Sequence, residues 1–244
     1  MLRSRTDAAG TLRAVPKALR PRPSGGGRSQ AAVRHTLPRD VVHELNRTAR
    51  AGRSNQAIAR LERAVELLER GDTRGAVAEA QKAKELASRS AAVREVLGIA
   101  LYGQRRWREA LAELQAYRRI SGRADQNHLI ADAERGVGRP ERAVPLAEEA
   151  LAARGVPIEA KAEAVIVAAS ALADMGRFDQ ALGLLRRVKT RDEVARPEVI
   201  RVWYVLADIL ERAGRRDEAA REFRKIMRHD AAAYDVAERL ARLE

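Results

Sequence analysis

Cysteine is absent from all 244 residues, and aromatic residues make up only 3% of the sequence. Without cysteine, disulfide bonds and thiolate metal sites are excluded, which favours a reducing cytoplasm. Alternating patterns of β-branched residues are also scarce, so the sequence gives little support for β-strands. Alanine, leucine, arginine and glutamate dominate instead, and these residues favour helices. We therefore expect an all-α fold.

Lysine is scarce as well, because only six of the 47 basic residues are lysines. One interpretation of the net charge of +13 is the codon bias of a GC-rich bacterial genome, which raises arginine and alanine together. The other is selection for phosphate binding. Residues 1–36 hold eight basic residues and one acid, so they carry seven of the thirteen net charges. The rest of the chain is only mildly basic.

The first 37 residues lack helical periodicity and contain the breaker P-R-P-S-G-G-G at 21–27. We expect a disordered basic tail here, with no apolar stretch of signal-peptide length. This tail is either solvated or an arm that touches nucleic acid, ribosome or an acidic partner. Its candidate contact residues are Arg13, Lys17, Arg20, Arg22, Arg28 and Arg34.

Motifs for catalysis or metal binding do not occur in the sequence. His43-Glu44 is followed by Leu-Asn-Arg, so it does not begin H-E-x-x-H, and neither a phosphate loop nor a nucleophile elbow is present. The four histidines have no metal-ligand spacing. We expect no enzyme activity, no metal and no cofactor.

The stretch 200–227 contains two apolar stripes at helical spacing, separated by Gly214. The first stripe is Trp203, Leu206, Ala207 and Leu210, and the second is Ala219, Phe223 and Ile226. Two such stripes predict a helical hairpin whose faces close on each other. The alanine that opens the second stripe recurs upstream at Ala76, Ala110, Ala143 and Ala181.

This pattern resembles the tetratricopeptide repeat (TPR), a helical hairpin of about 34 residues with a turn glycine and signature alanines. The resemblance implies a right-handed α-solenoid of about five hairpins, and with the arginine-rich composition it indicates a bacterial protein of the GC-rich, actinobacterial type. Helices in 38–56 and 231–244 are expected to cap the two ends. The expected repeats are 57–90, 91–123, 124–157, 158–193 and 197–230.

The third repeat departs most from the family pattern. Glu134 replaces the usual large residue, and Pro145 lies inside the second helix. Because an interior proline removes a backbone hydrogen bond and clashes with the preceding turn, we expect this helix to kink or to start late.

In TPR arrays, four positions of each first helix line a binding groove. The resemblance places there Leu61, Val65, Leu68, Glu95, Ile99, Tyr102, His128, Asp132, Arg135, Ile166, Ser170, Tyr204, Asp208 and Glu211. The first two repeats would give an apolar wall, and the last three would be acidic. Such a groove suits a protein segment with apolar or basic side chains. Alternatively, the leader helix covers the wall, or the wall packs between repeats.

Two functions are therefore predicted. The first is a non-catalytic cytoplasmic scaffold, monomeric or homodimeric and without a membrane segment, that binds a protein segment in its groove. The alternative is a nucleic-acid- or ribosome-associated factor that uses the arginine-rich tail.

Overall fold

A computed structural model describes residues 36–188 and 196–243, and within these ranges there are twelve α-helices and no β-strand. The predicted all-α fold is confirmed. The helices are α1 (Arg39–Thr48), α2 (Ser54–Glu69), α3 (Thr73–Leu86), α4 (Ala91–Gly103), α5 (Trp107–Ser121), α6 (Asn127–Gly136), α7 (Ala143–Ala152), α8 (Ile158–Asp174), α9 (Phe178–Arg186), α10 (Pro197–Arg212), α11 (Arg216–His229) and α12 (Val236–Leu243). None of these helices is both long and apolar enough to cross a membrane.

The chain divides into two compact units, Met1–Arg123 and Ala124–Glu244. Unit 1 contains α1 to α5, and unit 2 contains α6 to α12. The boundary falls at the residue where the second predicted repeat ends. The six candidate contact residues of the basic tail lie outside the described residues, and so their predicted role stays a prediction.

Consecutive helices pair into hairpins, with α2–α3 and α4–α5 in unit 1 and α6–α7, α8–α9 and α10–α11 in unit 2. The alanine near the start of each second helix is fully buried, and these residues are Ala76, Ala110, Ala143, Ala181 and Ala219. Because alanine has no side chain beyond Cβ, the two helices can approach closely at this point. In the last hairpin, the large rings of Trp203 and Phe223 fill the remaining core.

All five hairpins close with the same backbone hydrogen bond. The N–H of the residue after the turn donates to the carbonyl five residues earlier, at 2.8 to 3.1 Å, which is the longer bond of a Schellman motif. The donor–acceptor pairs are Asp72–Leu67, Arg106–Leu101, Arg139–Glu134, Arg177–Leu172 and Arg215–Leu210. Four turns place a glycine in the left-handed region, as at Gly71 with φ 78°, whereas the second hairpin places Arg105 there with φ 57°.

The outer face of α2 and α3 is polar. Arg60 and Lys82 each lie 2.8 Å from a carboxylate oxygen of Glu79, and the side chain of Arg63 is half exposed. A polar face of this kind covers the end of a repeat array without presenting apolar surface.

Two details differ from a simple repeat. Leu37 is buried and Thr36 is hydrogen bonded to α2, so the end of the predicted tail is ordered. In the third hairpin, α7 begins at Ala143 after a 3-10 turn, and Pro145 falls in its first turn, where no helical hydrogen bond is lost. The predicted late start is confirmed. Glu134 is buried and lies 2.8 Å from the guanidinium of Arg139.

We expect the Arg105→Gly variant to be more stable than the wild type by about 0.5–1 kcal/mol. The left-handed conformation costs a non-glycine residue about 1–2 kcal/mol, and the extra freedom of glycine in the unfolded chain offsets part of this gain. Urea unfolding followed by circular dichroism measures the difference. The matched Gly71→Ala variant should lose stability, and a destabilised Arg105→Gly protein would contradict the argument.

Candidate functional site

The six predicted groove residues of the first two repeats lie in the interior of unit 1. Each side chain is at most 7% exposed. They are Leu61, Val65 and Leu68 on α2, and Glu95, Ile99 and Tyr102 on α4. The apolar wall is therefore packing surface, and it does not form an open groove.

Helix α1 provides part of this cover. It packs against α2, and its Leu45 side chain is fully buried. Just before α1, the N–H and hydroxyl of Thr36 donate to Glu62 Oε1 at 2.7 and 3.2 Å. At the other side, Glu44 accepts a hydrogen bond of 3.3 Å from the N–H of Ala92 in the first turn of α4. These contacts agree with the interpretation that the leader helix covers the wall.

In unit 2, the first helices of the three hairpins, α6, α8 and α10, pack side by side and carry charged side chains on a shared face, which we call the A-face. Seven side chains from these helices and α12 form a continuous series of ion pairs, called the charge ladder below. In order, the ladder is Asp132, Arg135, Asp174, Arg212, Asp208, Arg239 and Glu211.

The first half of the charge ladder joins α6, α8 and α10. Arg135 lies 2.6 Å from Asp132 and 2.8 Å from Asp174. Arg212 contacts the second oxygen of Asp174 at 3.0 Å and approaches Asp208 at 3.8 Å. Asp174 thus accepts from arginines of two different helices, which ties α8 to both neighbours.

The second half of the ladder joins α10 to α12 through one guanidinium. Arg239 Nη1 lies 2.9 Å from Asp208, and Nε and Nη2 lie 2.9 and 2.6 Å from Glu211 Oε2. Nη1 also donates to the hydroxyl of Tyr204 at 3.3 Å, and this hydroxyl donates to Asp235 at 2.6 Å. Every nitrogen of the guanidinium therefore has an acceptor.

A further ion pair, outside the charge ladder, joins α8 to α10 on the A-face. Arg201 Nε lies 2.9 Å from Glu163 Oε1. Burial raises the pKa of Glu163, and attraction to Arg201 lowers it only in part. The predicted groove residues Ile166 and Ser170, on the same helix as Glu163, are buried at 4% and 3% exposure.

Comparisons with known proteins identify the repeat. A family model described as "Tetratrico peptide repeat" matches residues 128–238. Among solved structures, that of PilW, a type IV pilus biogenesis factor, has a TM-score of 0.63 at 19% identity and covers 76% of this chain and 86% of its own. Residues 128–238 therefore match the tetratricopeptide repeat family.

Two structures described as TPR proteins have a similar fold. A thermophilic TPR protein of Thermus thermophilus, TTC0263, has a TM-score of 0.59 at 18% identity, with 77% of this chain and 98% of that chain covered. YrrB, described as a TPR protein with an unusual peptide-binding site, has a TM-score of 0.53 at 20% identity, with 75% and 90% covered. A search of curated protein sequences found no match. The fold is thus that of TPR α-solenoids.

In unit 2, several of the predicted groove residues lie on the A-face. There the structure brings Asp132, Arg135, Asp208 and Glu211 into the charge ladder and places Tyr204 beside Arg239. The predicted acidic surface, however, is not an open one. Arg212 and Arg239 were not among the predicted groove residues, and both pair with its carboxylates.

One sequence signal could have revealed the most important missed residue. The apolar stripe of α12 consists of Val236, Leu240 and Leu243, and Arg239 lies at helical spacing on the same face. An arginine within the packing stripe of an amphipathic helix indicates a buried acceptor opposite it.

The pKa values of the ladder follow from burial and pairing. Burial lowers the pKa of Arg135, but Asp132 and Asp174 more than offset it, so the net shift is upward. Burial also disfavours the charged form of Arg239, but Asp208 and Glu211 favour it more strongly, so the pKa of Arg239 is raised. For Tyr204, burial and the hydrogen bond to Asp235 raise the pKa of the phenol.

His128, on the first turn of α6, is half-buried and its Nδ1 atom is fully buried. Burial lowers the pKa of His128 from 6.5 to about 4, although a hydrogen bond with the backbone of Asp125 and the charge of Asp132 act in the opposite direction. The imidazole is therefore neutral at pH 7.

We expect the protein to lose stability between pH 6.5 and pH 4, and His128 to cause part of this loss. In this window the unfolded histidine binds a proton and the folded one does not, so the free energy of unfolding falls as the pH falls, by up to about 3 kcal/mol. Urea unfolding at several pH values measures the slope. His128→Gln should reduce the slope, whereas His43→Gln, which changes an exposed histidine on α1, should leave it unchanged. Equal slopes for the wild type and His128→Gln would contradict the assignment.

Proposed function

We propose that this TPR protein is a non-catalytic scaffold that binds a segment of another protein on the A-face of unit 2. The charge ladder carries the proposal. Its side chains are held by ion pairs between neighbouring helices, so their remaining donors and acceptors are already oriented for a partner. The TPR fold supports the same function, since YrrB is described as having a peptide-binding site.

The charge of the A-face indicates the kind of segment that fits. Five carboxylates face four guanidinium groups, and the carboxylates are Asp132, Glu163, Asp174, Asp208 and Glu211. A segment with basic side chains can add a second donor to a carboxylate that already accepts one. A phosphate backbone would instead meet a slight excess of negative charge.

The alternative function in nucleic-acid or ribosome binding rests on the basic residues of the tail. Those residues lie outside the described ranges, and no feature of the A-face favours this function. Nuclease and moderate salt in the binding experiment separate the two functions, because phosphate contacts weaken steeply with salt.

Binding to the A-face is tested by reversing an ion pair without breaking it. In the double variant Glu163→Arg/Arg201→Glu, the pair between α8 and α10 is kept, but the charge pattern that a partner meets is inverted. We expect the proteins captured from the native lysate by the wild type, in the presence of nuclease, to bind this variant at least ten-fold more weakly. Affinity capture followed by quantitative mass spectrometry measures the change.

The matched control is Arg63→Glu/Glu66→Arg, which reverses a pair of 2.8 Å on the half-exposed side of α2. It should retain the captured proteins. If both double variants retain them equally, the A-face is not the binding surface.

A further inference from the structure

The pocket around Arg239 has the composition of a site for a guanidinium group. On α10 it presents the two carboxylates of Asp208 and Glu211 and the hydroxyl of Tyr204, all within 3.3 Å of guanidinium nitrogens. The guanidinium carbon also lies 4.9 Å from the centroid of the Phe223 ring, a distance at which a cation is attracted by the face of an aromatic ring. We refer to these four residues as the arginine pocket.

The arginine pocket distinguishes arginine from lysine by its geometry. Glu211 accepts from both Nε and Nη2, while Asp208 and Tyr204 accept from Nη1. Only the planar fork of a guanidinium can place donors in these directions at once. An ammonium group, which is a compact charge, would leave part of the pocket without a donor.

The side chain that fills the pocket comes from a short helix. Helix α12 has eight residues, and an isolated helix of this length is not stable in water. It is held by its contacts with α11, by the buried side chain of Val236 and by Arg239. Elements with so few buried contacts open locally at lower free energy than the core.

The connection to α12 is strained. Tyr234 lies in the left-handed region with φ 50°, a conformation that is unfavourable for a bulky residue. It is half exposed and stacks on Tyr204 with ring centroids 4.4 Å apart. Release of α12 would relieve the backbone strain at Tyr234, which offsets part of the free energy that holds α12 in place.

Capping of the last hairpin does not require a buried charge. Val236, Leu240 and Leu243 already give α12 an apolar stripe for packing. A buried charge, by contrast, costs hydration free energy that its partners must offset. A pocket that satisfies every guanidinium nitrogen provides specificity for arginine that a cap alone would not need.

From these observations we propose that the arginine pocket is a recognition site for an arginine side chain of a partner protein's helical segment, and that α12 occupies it through Arg239 when no partner is bound. This proposal rests on the proposed function and assigns one of its contacts. The pocket is continuous with the A-face, because Asp208 belongs to both the pocket and the charge ladder. A segment lying along the A-face would therefore reach it.

The experiment supplies an arginine helix in trans. The probe is a fluorescein-labelled peptide of residues 231–243 of this chain, A-A-A-Y-D-V-A-E-R-L-A-R-L, and fluorescence anisotropy measures its binding to the full chain. Val236→Asp places a carboxylate at a fully buried position of α12, so it should unseat α12 and leaves the four residues of the arginine pocket unchanged. We expect the Val236→Asp chain to bind the probe at least ten-fold more tightly than the wild type, in which α12 competes.

Specificity is tested in the probe and in the pocket. Replacing the arginine at 239 of the probe by lysine should abolish the tighter binding to the Val236→Asp chain. The matched control, the same replacement at 242, should retain it. Asp208→Asn/Glu211→Gln added to the Val236→Asp chain should remove binding. Arg239→Ala in the full chain is a second variant that leaves the pocket without its arginine. Circular dichroism verifies that each variant is folded.

Three results would overturn the proposal. The first is that neither the Val236→Asp nor the Arg239→Ala chain binds the probe more tightly than the wild type. The others are equal binding of the probe with lysine at 239, or binding that survives Asp208→Asn/Glu211→Gln. Concentration-dependent dimers that Arg239→Ala abolishes would also overturn it, since the occupant would then come from a second copy. These failures are separate from failure of the proposed function, which is measured by the Glu163→Arg/Arg201→Glu exchange outside the pocket.

Discussion

Close approach of the two helices in each hairpin is the constraint on which the described structure depends. A fully buried alanine lies at the helix–helix contact of each of the five hairpins, which have few other residue types in common at equivalent positions. The turn bond from the residue after each turn to the carbonyl five residues earlier fixes the angle at which the second helix leaves. A larger residue at one of these alanines would push the helices apart and misplace every side chain carried on them.

The contact alanines and the turns are also why the hairpins could be predicted from the sequence. Alanines such as Ala76 and Ala110, each five residues after the residue that adopts the left-handed turn conformation, are local signals that need no knowledge of the rest of the fold. The late start of α7 could be predicted for the same reason, because Pro145 acts through its own backbone. Arg105 shows the limit of this approach, since nothing in its identity indicates a left-handed turn.

The candidate site could be predicted only in part, because it depends on contacts between distant segments. Leu61 and Val65 have the spacing expected for a groove, but their exposure depends on whether α1 covers them. The exposed side of α2 carries Arg60 and Arg63 instead. In unit 2 the predicted carboxylates Asp208 and Glu211 are present, but the arginine that pairs with both comes from α12. A count of charges along first helices cannot include a residue that another helix contributes.

The polar outer face of α2 and α3 has a consequence for assembly. Hairpin arrays of this kind grow by placing one apolar helix face on the next, so an uncovered apolar end would invite another copy to stack and start a filament. Here Glu79 and its two basic neighbours occupy that end with ion pairs. A second copy that stacked on it would have to dehydrate three charges. The polar end of unit 1 therefore disfavours end-to-end growth there.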